Sequence, residues 1–305
     1  MVTPIRNDWD TAAAAHVLRR VGFGADRARI ERAVTEGLEA TLHDLESRRD
    51  HATSLTSSSV ERLVSLGNLG PLQSRWMALI LGDGAPLLER ATLMWHGHFA
   101  TSNAKVNDVK LLHRQTELYR ELGLGDFRAL LHAVAKHPAM LIWLDGNLNR
   151  VGAPNENFAR VLMELVALGI GAGYTEVDIK EAARAFSGWT VARRRFVFPR
   201  EYHDAGEKTI FGRGKVYTGD QATLALAHEL DRRAGVAVVG QDGRHRPEDL
   251  VFVNVFRRGR VTRLEEQDRE EVALAVRASG VDRGVGVAVH DVRLFTKEAD
   301  ALLHV

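Results

Sequence analysis

Apolar residues recur three and four positions apart through most of the chain up to about residue 190, the spacing that lines one face of a helix. Polar residues and glycines interrupt them where helices should start and stop. Asp10 is placed to cap a helix running through Arg20, with Gly22 and Gly24 as its stop. Asp26 caps the next, whose stripe is Ile30, Ala33 and Val34 and whose stop is Gly37. The serine-rich stretch Thr53 to Ser59 reads as a loop. Pro71 sits at the start of a helix carrying Trp76, Met77, Leu79 and Ile80, and another helix spans about Pro86 to Phe99. The longest is expected from Asn103 to Leu122, with Val106, Val109, Leu112 and Leu118 inward and Gly123 as its stop.

Phe127, Leu130, Leu131 and Val134 mark a further helix that must end before His137-Pro138, because a residue preceding proline avoids the α region. Thr175 and Asp178 are spaced as a capping box for a helix through Ala182, Ala185 and Phe186. After Trp189 the period changes. Phe196-Val197-Phe198 between basic residues predicts a short strand or hairpin arm, and a loop rich in glycine and charge runs on to Gly219.

From about Asp231 the character shifts again. Residues 231–305 hold no Trp, Tyr or Met, one Lys, twelve Arg and fifteen Val. Val251 to Phe256 and Val285 to Leu294 read as strands, and Leu264 to Ser279 as a helix. This tail reads either as a small α/β extension or as a GC-rich gene translated out of frame. The expected fold is therefore mainly α, a multi-helical orthogonal bundle with a short β-hairpin near 190–215. It divides into a helical domain over 1–230 and a divergent extension over 231–305.

Composition narrows the chemistry. A formal charge of +1 gives no general attraction to nucleic acid or anionic membrane, so no nucleic acid is expected as a partner. The absence of cysteine excludes disulfides, thiolate nucleophiles, iron–sulfur clusters and thiolate zinc sites. No apolar run approaches the length of a membrane span, and no signal peptide is visible at the start, which makes the cytoplasm the default expectation.

The remaining candidates are His, Asn, Asp, Glu and Lys. His96 and His98 flank Gly97; on an unbroken helix they point about 200° apart, so only a break at Gly97 would turn both toward one ion. Otherwise they are buried imidazoles bonded to backbone carbonyls. His113 and Glu117 share a helix face, spaced either for one cation or for a plain hydrogen-bonded pair. Asn155 reads first as an N-cap, with Asn157 just inside the helix. Glu164 lies among Leu162, Met163 and Leu165, where a carboxylate needs a partner; Arg160, four residues earlier, can supply it. His203 and Asp204 fall in a loop with Lys208 close behind, able to complete a site built on helices or to form an exposed turn.

Many of these pieces recur in order in one bacterial family. His16-Val-Leu-Arg-Arg-Val-Gly-Phe-Gly24, Met94-Trp-His-Gly-His-Phe99, Asn103-Ala104-Lys105 and His137-Pro-Ala-Met140 are among them. So are Asn155 to Gly169, Gly173-Tyr-Thr175, Ala185-Phe-Ser-Gly-Trp189, Tyr202-His-Asp204 and Lys208. Over about residues 12–230 the chain resembles the domain-of-unknown-function 1800 family, which implies a large, mostly helical fold and no settled activity. Gly97 stands where the family usually has Asn, Val161 where it usually has Glu, and Val166 where His or Phe is frequent. The family's helical continuation beyond Leu230 is absent.

Two functions fit. One is a polar pocket performing hydrolysis, with Glu164, His203 and Asp204 as candidate catalytic residues. His96, His98 and His113 would hold a divalent metal, the only candidate cofactor, and Asn155, Asn157 and Lys208 would bind substrate. The other is a non-catalytic helical scaffold in which the same residues are caps and buried networks. No partner can be read from the residues.

Overall fold

The computed structural model describes residues 9–48, 62, 64–65, 67–82, 84–169 and 171–237, with residues 231–237 described by their backbone alone. The loop expected at Thr53 to Ser59 and the strands and helix expected after Val251 lie outside the described residues. The chain is mainly helical, as the periodicity predicts, and forms two compact units, the first ending at Trp95 and the second beginning at His96.

In the first unit, α1 (Thr11–Val21) and α2 (Arg27–Glu36) start at the expected caps. The Asp10 carboxylate accepts from Ala13 N at 2.9 Å, and that of Asp26 from Arg29 N at 2.8 Å. Gly37, at φ +89°, ends α2 and leads directly into α3 (Leu38–Ser47), which the sequence reading missed. No side chain caps α3, so the usual signal for a helix start is missing; burial of Thr41 and Leu45 holds it instead. Ala14, Leu18, Ala33 and Leu45 form the core, with Trp9, Ile30 and Val34 packed around it. The Trp9 indole donates to Ala33 O at 2.8 Å. Helix α4 (Leu69–Leu81) follows, capped by Asn68.

Helix α5 (Pro86–Phe99) has the predicted bounds and runs without interruption through Gly97. The break that would bring His96 and His98 together does not form.

In the second unit, the long helix expected from Asn103 is two helices, α6 (Asn103–Val106) and α7 (Val109–Leu122). Asn107 takes left-handed angles, with φ 46°, and the Asp108 carboxylate caps α7 by accepting from Lys110 N and Leu111 N. The restart turns the buried face to Val109, Leu111, Gln115 and Tyr119, leaving Leu112 and Leu118 half-buried. Helix α8 (Phe127–Ala135) ends before His137-Pro138, and α9 (Pro138–Trp143) begins there.

Helix α10 (Glu156–Val161) widens after its last turn into a π turn over Leu162–Ala167, where Leu168 N donates to Met163 O five residues back. Helix α11 (Glu176–Phe186) carries both bonds of the predicted capping box. Two antiparallel hairpins stand where one was expected: β1 (Thr190–Ala192) with β2 (Arg195–Val197), and β3 (Lys208–Ile210) with β4 (Arg213–Lys215). Helix α12 (Gly219–Ala237) closes the described chain. Phe158, Phe186, Trp189 and Phe196 meet edge to face at successive centroid distances of 5.2, 5.1 and 5.4 Å, the favoured geometry for aromatic quadrupoles.

Candidate functional site

The predicted residues fall into separate groups within the second unit. The densest surrounds His203 and Asp204, where the chain leaves a 3-10 turn and crosses the end of α11. His203 Nδ1 lies 2.9 Å from Ser187 O. A carbonyl can only accept, so this nitrogen carries a proton and donates, and Nε2 is left as the ring's other polar atom. Asp204 accepts from Arg184 Nε at 2.7 Å, from Arg184 Nη2 at 3.2 Å and from Gly206 N at 2.8 Å. The Arg184 bonds hold its pKa near about 2, against the opposing effect of burial. Ser187 Oγ accepts from Asp204 N at 2.8 Å, fixing the loop to the helix end.

Lys208, named from the sequence as a candidate for binding substrate, belongs to the same group. Its side chain is fully buried, and Nζ donates to Asp204 O at 2.5 Å and Gly206 O at 2.9 Å. Loss of solvent lowers its pKa, and Asp204 raises it in part. Arg184 also forms a two-point pair with Glu181 at 2.9 and 3.0 Å, and Glu181 accepts from Thr209 N at 3.0 Å. Sequence reasoning missed Arg184, Glu181 and Ser187. The three-residue spacing of Glu181 and Arg184 was available as a signal; nothing in the sequence announces that Arg184 reaches twenty residues on to Asp204.

Asn155 caps α10 as predicted, accepting from Asn157 N at 2.9 Å. Its amide also donates to Leu144 O and Asp145 O at 3.1 and 2.8 Å. Buried Asn149, missed from sequence, accepts from Asn155 N at 3.0 Å and donates to Ala183 O at 2.8 Å. These amides tie three chain segments together. Asn157 is exposed.

A third group lies on the π turn. Glu164 receives Arg160 Nη1 at 3.2 Å, the pairing expected four residues apart. Arg160 has a better partner in Glu176, at 2.6 and 2.9 Å, and the Tyr174 hydroxyl also bonds Glu164. His98 Nε2 donates to Val166 O at 3.0 Å, joining α5 to this turn. His98 has surface open to water, yet desolvation still lowers its pKa, opposed by the bond to Val166. His96 is driven down to about 4 by burial alone. Neutral imidazole is the metal-ligating form, but on the continuous α5 the two rings diverge. His113 Nδ1 is 3.6 Å from Glu117 Oε1, and Arg120 Nη1 holds the same oxygen at 2.7 Å. Among the described residues no three His, Asp or Glu side chains gather as a metal site would require.

A further cluster was not foreseen. Asp220, at the start of α12, accepts from His132 Nε2 at 2.7 Å and pairs with Lys136 Nζ at 2.6 Å. The Lys136 ammonium in turn lies 4.9 Å from the Phe196 ring centre. These residues fasten α12 to α8 and to the aromatic core.

A mainly helical chain with two small hairpins and a Tyr202-His-Asp204 loop against the Ser187 helix end defines the class. The chain belongs to the family described as protein of unknown function (DUF1800), matched over residues 16–236. No curated protein and no solved structure matches it. Among the described residues no helix is long and apolar enough to cross a membrane.

Proposed function

We propose that the second unit is a non-catalytic helical binding scaffold, in which the polar residues between Asn149 and Lys208 hold the chain in place. The supporting observation is the state of Asp204. A carboxylate fixed by two Arg184 bonds and a backbone amide, with its pKa near about 2, stays an anion at neutral pH and is poorly suited to exchange protons there. Asn155, Asn149 and Lys208 are engaged in the same way with backbone groups.

Asp204→Asn should lower stability by about 2–4 kcal/mol, because it leaves Arg184 half-paired in a partly buried setting. Glu164→Gln, with Arg160 still held by Glu176, should cost below about 1 kcal/mol. Urea unfolding measures both. Hydrolysis of an ester, phosphoester or peptide that either change abolishes without altering the unfolding midpoint would overturn the scaffold reading.

One observation favours a second reading, hydrolysis assisted by a divalent metal. His203 donates its Nδ1 proton to a carbonyl and presents Nε2, the arrangement that orients a histidine as a ligand or general base. Elemental analysis of the purified chain tests it. Protein free of metal, with no thermal shift on adding zinc, manganese or calcium, sinks this reading.

A further inference from the structure

The β3–β4 hairpin turns on Phe211 and Gly212, between Ile210 and its partner Arg213. A two-residue hairpin loop of this kind needs positive φ at both positions, and asparagine and glycine usually supply them. Here Phe211 holds φ 53°, an uncommon conformation for a bulky side chain. Asp178, on α11, fixes it there by accepting Phe211 N at 2.7 Å. Strain of this type persists only where the surroundings impose it, and it clusters at ligand clamps.

The strained residue lines a cavity of about 170 Å³ between the hairpin and α12. Phe211, Tyr217 and Ala225 form its apolar wall; Arg213, His228 and Glu229 bring polar groups to it. Tyr217 is buried, and its hydroxyl pKa is raised by that burial and lowered by Arg213, which places the guanidinium within electrostatic reach of the phenol. The Lys215 ammonium lies 4.5 Å from the Tyr217 ring centre. The side chains of Arg213 and His228 make no hydrogen bond or ion pair among the described residues. Arg213 brings a fixed positive charge to the lining and the Lys215 ammonium stands nearby over Tyr217, so the setting favours an anion, and one guanidinium matches one carboxylate. An apolar cavity of about 150 Å³ suffices for a benzene ring.

We propose that this cavity binds a small aromatic monocarboxylate, its ring against Phe211, Tyr217 and Ala225 and its carboxylate on the Arg213 guanidinium beside His228. The proposal goes beyond the scaffold reading and shares none of the residues substituted to test that reading, so either can fail alone.

Benzoate titrated into the full chain, followed by thermal shift and by perturbation of aromatic side-chain resonances, provides the test. Saturable binding in the millimolar range is expected, as for a ligand of this size with one charged anchor. Arg213→Gln, at an exposed position, should weaken binding about tenfold. Ala225→Leu, which fills the cavity, should abolish it, and benzyl alcohol should bind at least about tenfold more weakly than benzoate. The absence of saturable binding would overturn the proposal, as would binding unchanged by both substitutions. A response to inorganic phosphate as strong as that to benzoate would also overturn it, because the apolar wall would then contribute nothing.

Discussion

His137 caps α9 through Nδ1, which accepts the Ala139 amide at 3.2 Å, and the cap works only while that nitrogen keeps its lone pair. Burial, helped by the Arg114 charge, brings its pKa down to about 4; burial alone does the same for His96. Both rings therefore stay neutral in the folded chain at pH values where the unfolded chain has begun to take up protons, near 6.5. Between about pH 6.5 and 4 the unfolded state binds more protons, so stability falls as pH falls, by up to about 3 kcal/mol per ring. His137→Asn keeps a capping side chain and removes one titration. It should leave stability at pH 7 within about 1 kcal/mol and reduce the loss at pH 4.5, as urea unfolding at the two pH values would show. An unchanged acid sensitivity would count against this assignment. At this scale the sequence is readable where partners lie within a turn, as with Asp26, Asn155 and the Thr175–Asp178 box. Arg184 with Asp204 and Asn149 with Ala183 depend on tertiary folding, and no local spacing encodes them.

Elements show the same limit. The helix starts at Asp10, Asp26 and Asn155 were legible, whereas α3, which has no side-chain cap, and α7, which Asp108 caps, were not. The left-handed Asn107 divided what periodicity joined, and the π turn after Val161 leaves no mark in the hydrophobic pattern. The β1–β2 hairpin was legible as an arm but not in its turn. Arg193 and Arg194 occupy that turn at φ 49° and 61°. Arg194 is held by Asp108. Arg193 is exposed, and among the described residues its side chain makes no bond that would offset its strain. Arg193→Asn should therefore raise stability by about 0.5–1 kcal/mol, measured as a higher urea midpoint with an unchanged slope. A lower midpoint would show that Arg193 holds something in its present place.

For the whole molecule, the family match stops at residue 236, close to the end of α12 at Ala237. The polar networks around Asp204, Asn155 and Glu164 are complete before that point. A chain ended after Ala237 should keep the helical circular dichroism and the acid sensitivity of the full chain, with solubility the property most exposed to loss. Limited proteolysis of the full chain provides the check. A segment after residue 237 that resists cleavage as firmly as the helices would place it within the folded body. Function was the least legible level, because the family match carries no activity and the candidate side chains divide among separate groups.

The sealed ammonium of Lys208 has a consequence for chemical labelling. Its lowered pKa supplies more of the reactive free amine than an ordinary lysine has, but no reagent can reach Nζ while the loop is shut. Acylation at Lys208 should therefore lag behind that of the exposed Lys215, at a rate set by how often the loop between Asp204 and β3 opens. Mass spectrometry of the two peptides would turn this one lysine into a clock for local opening, without any added probe.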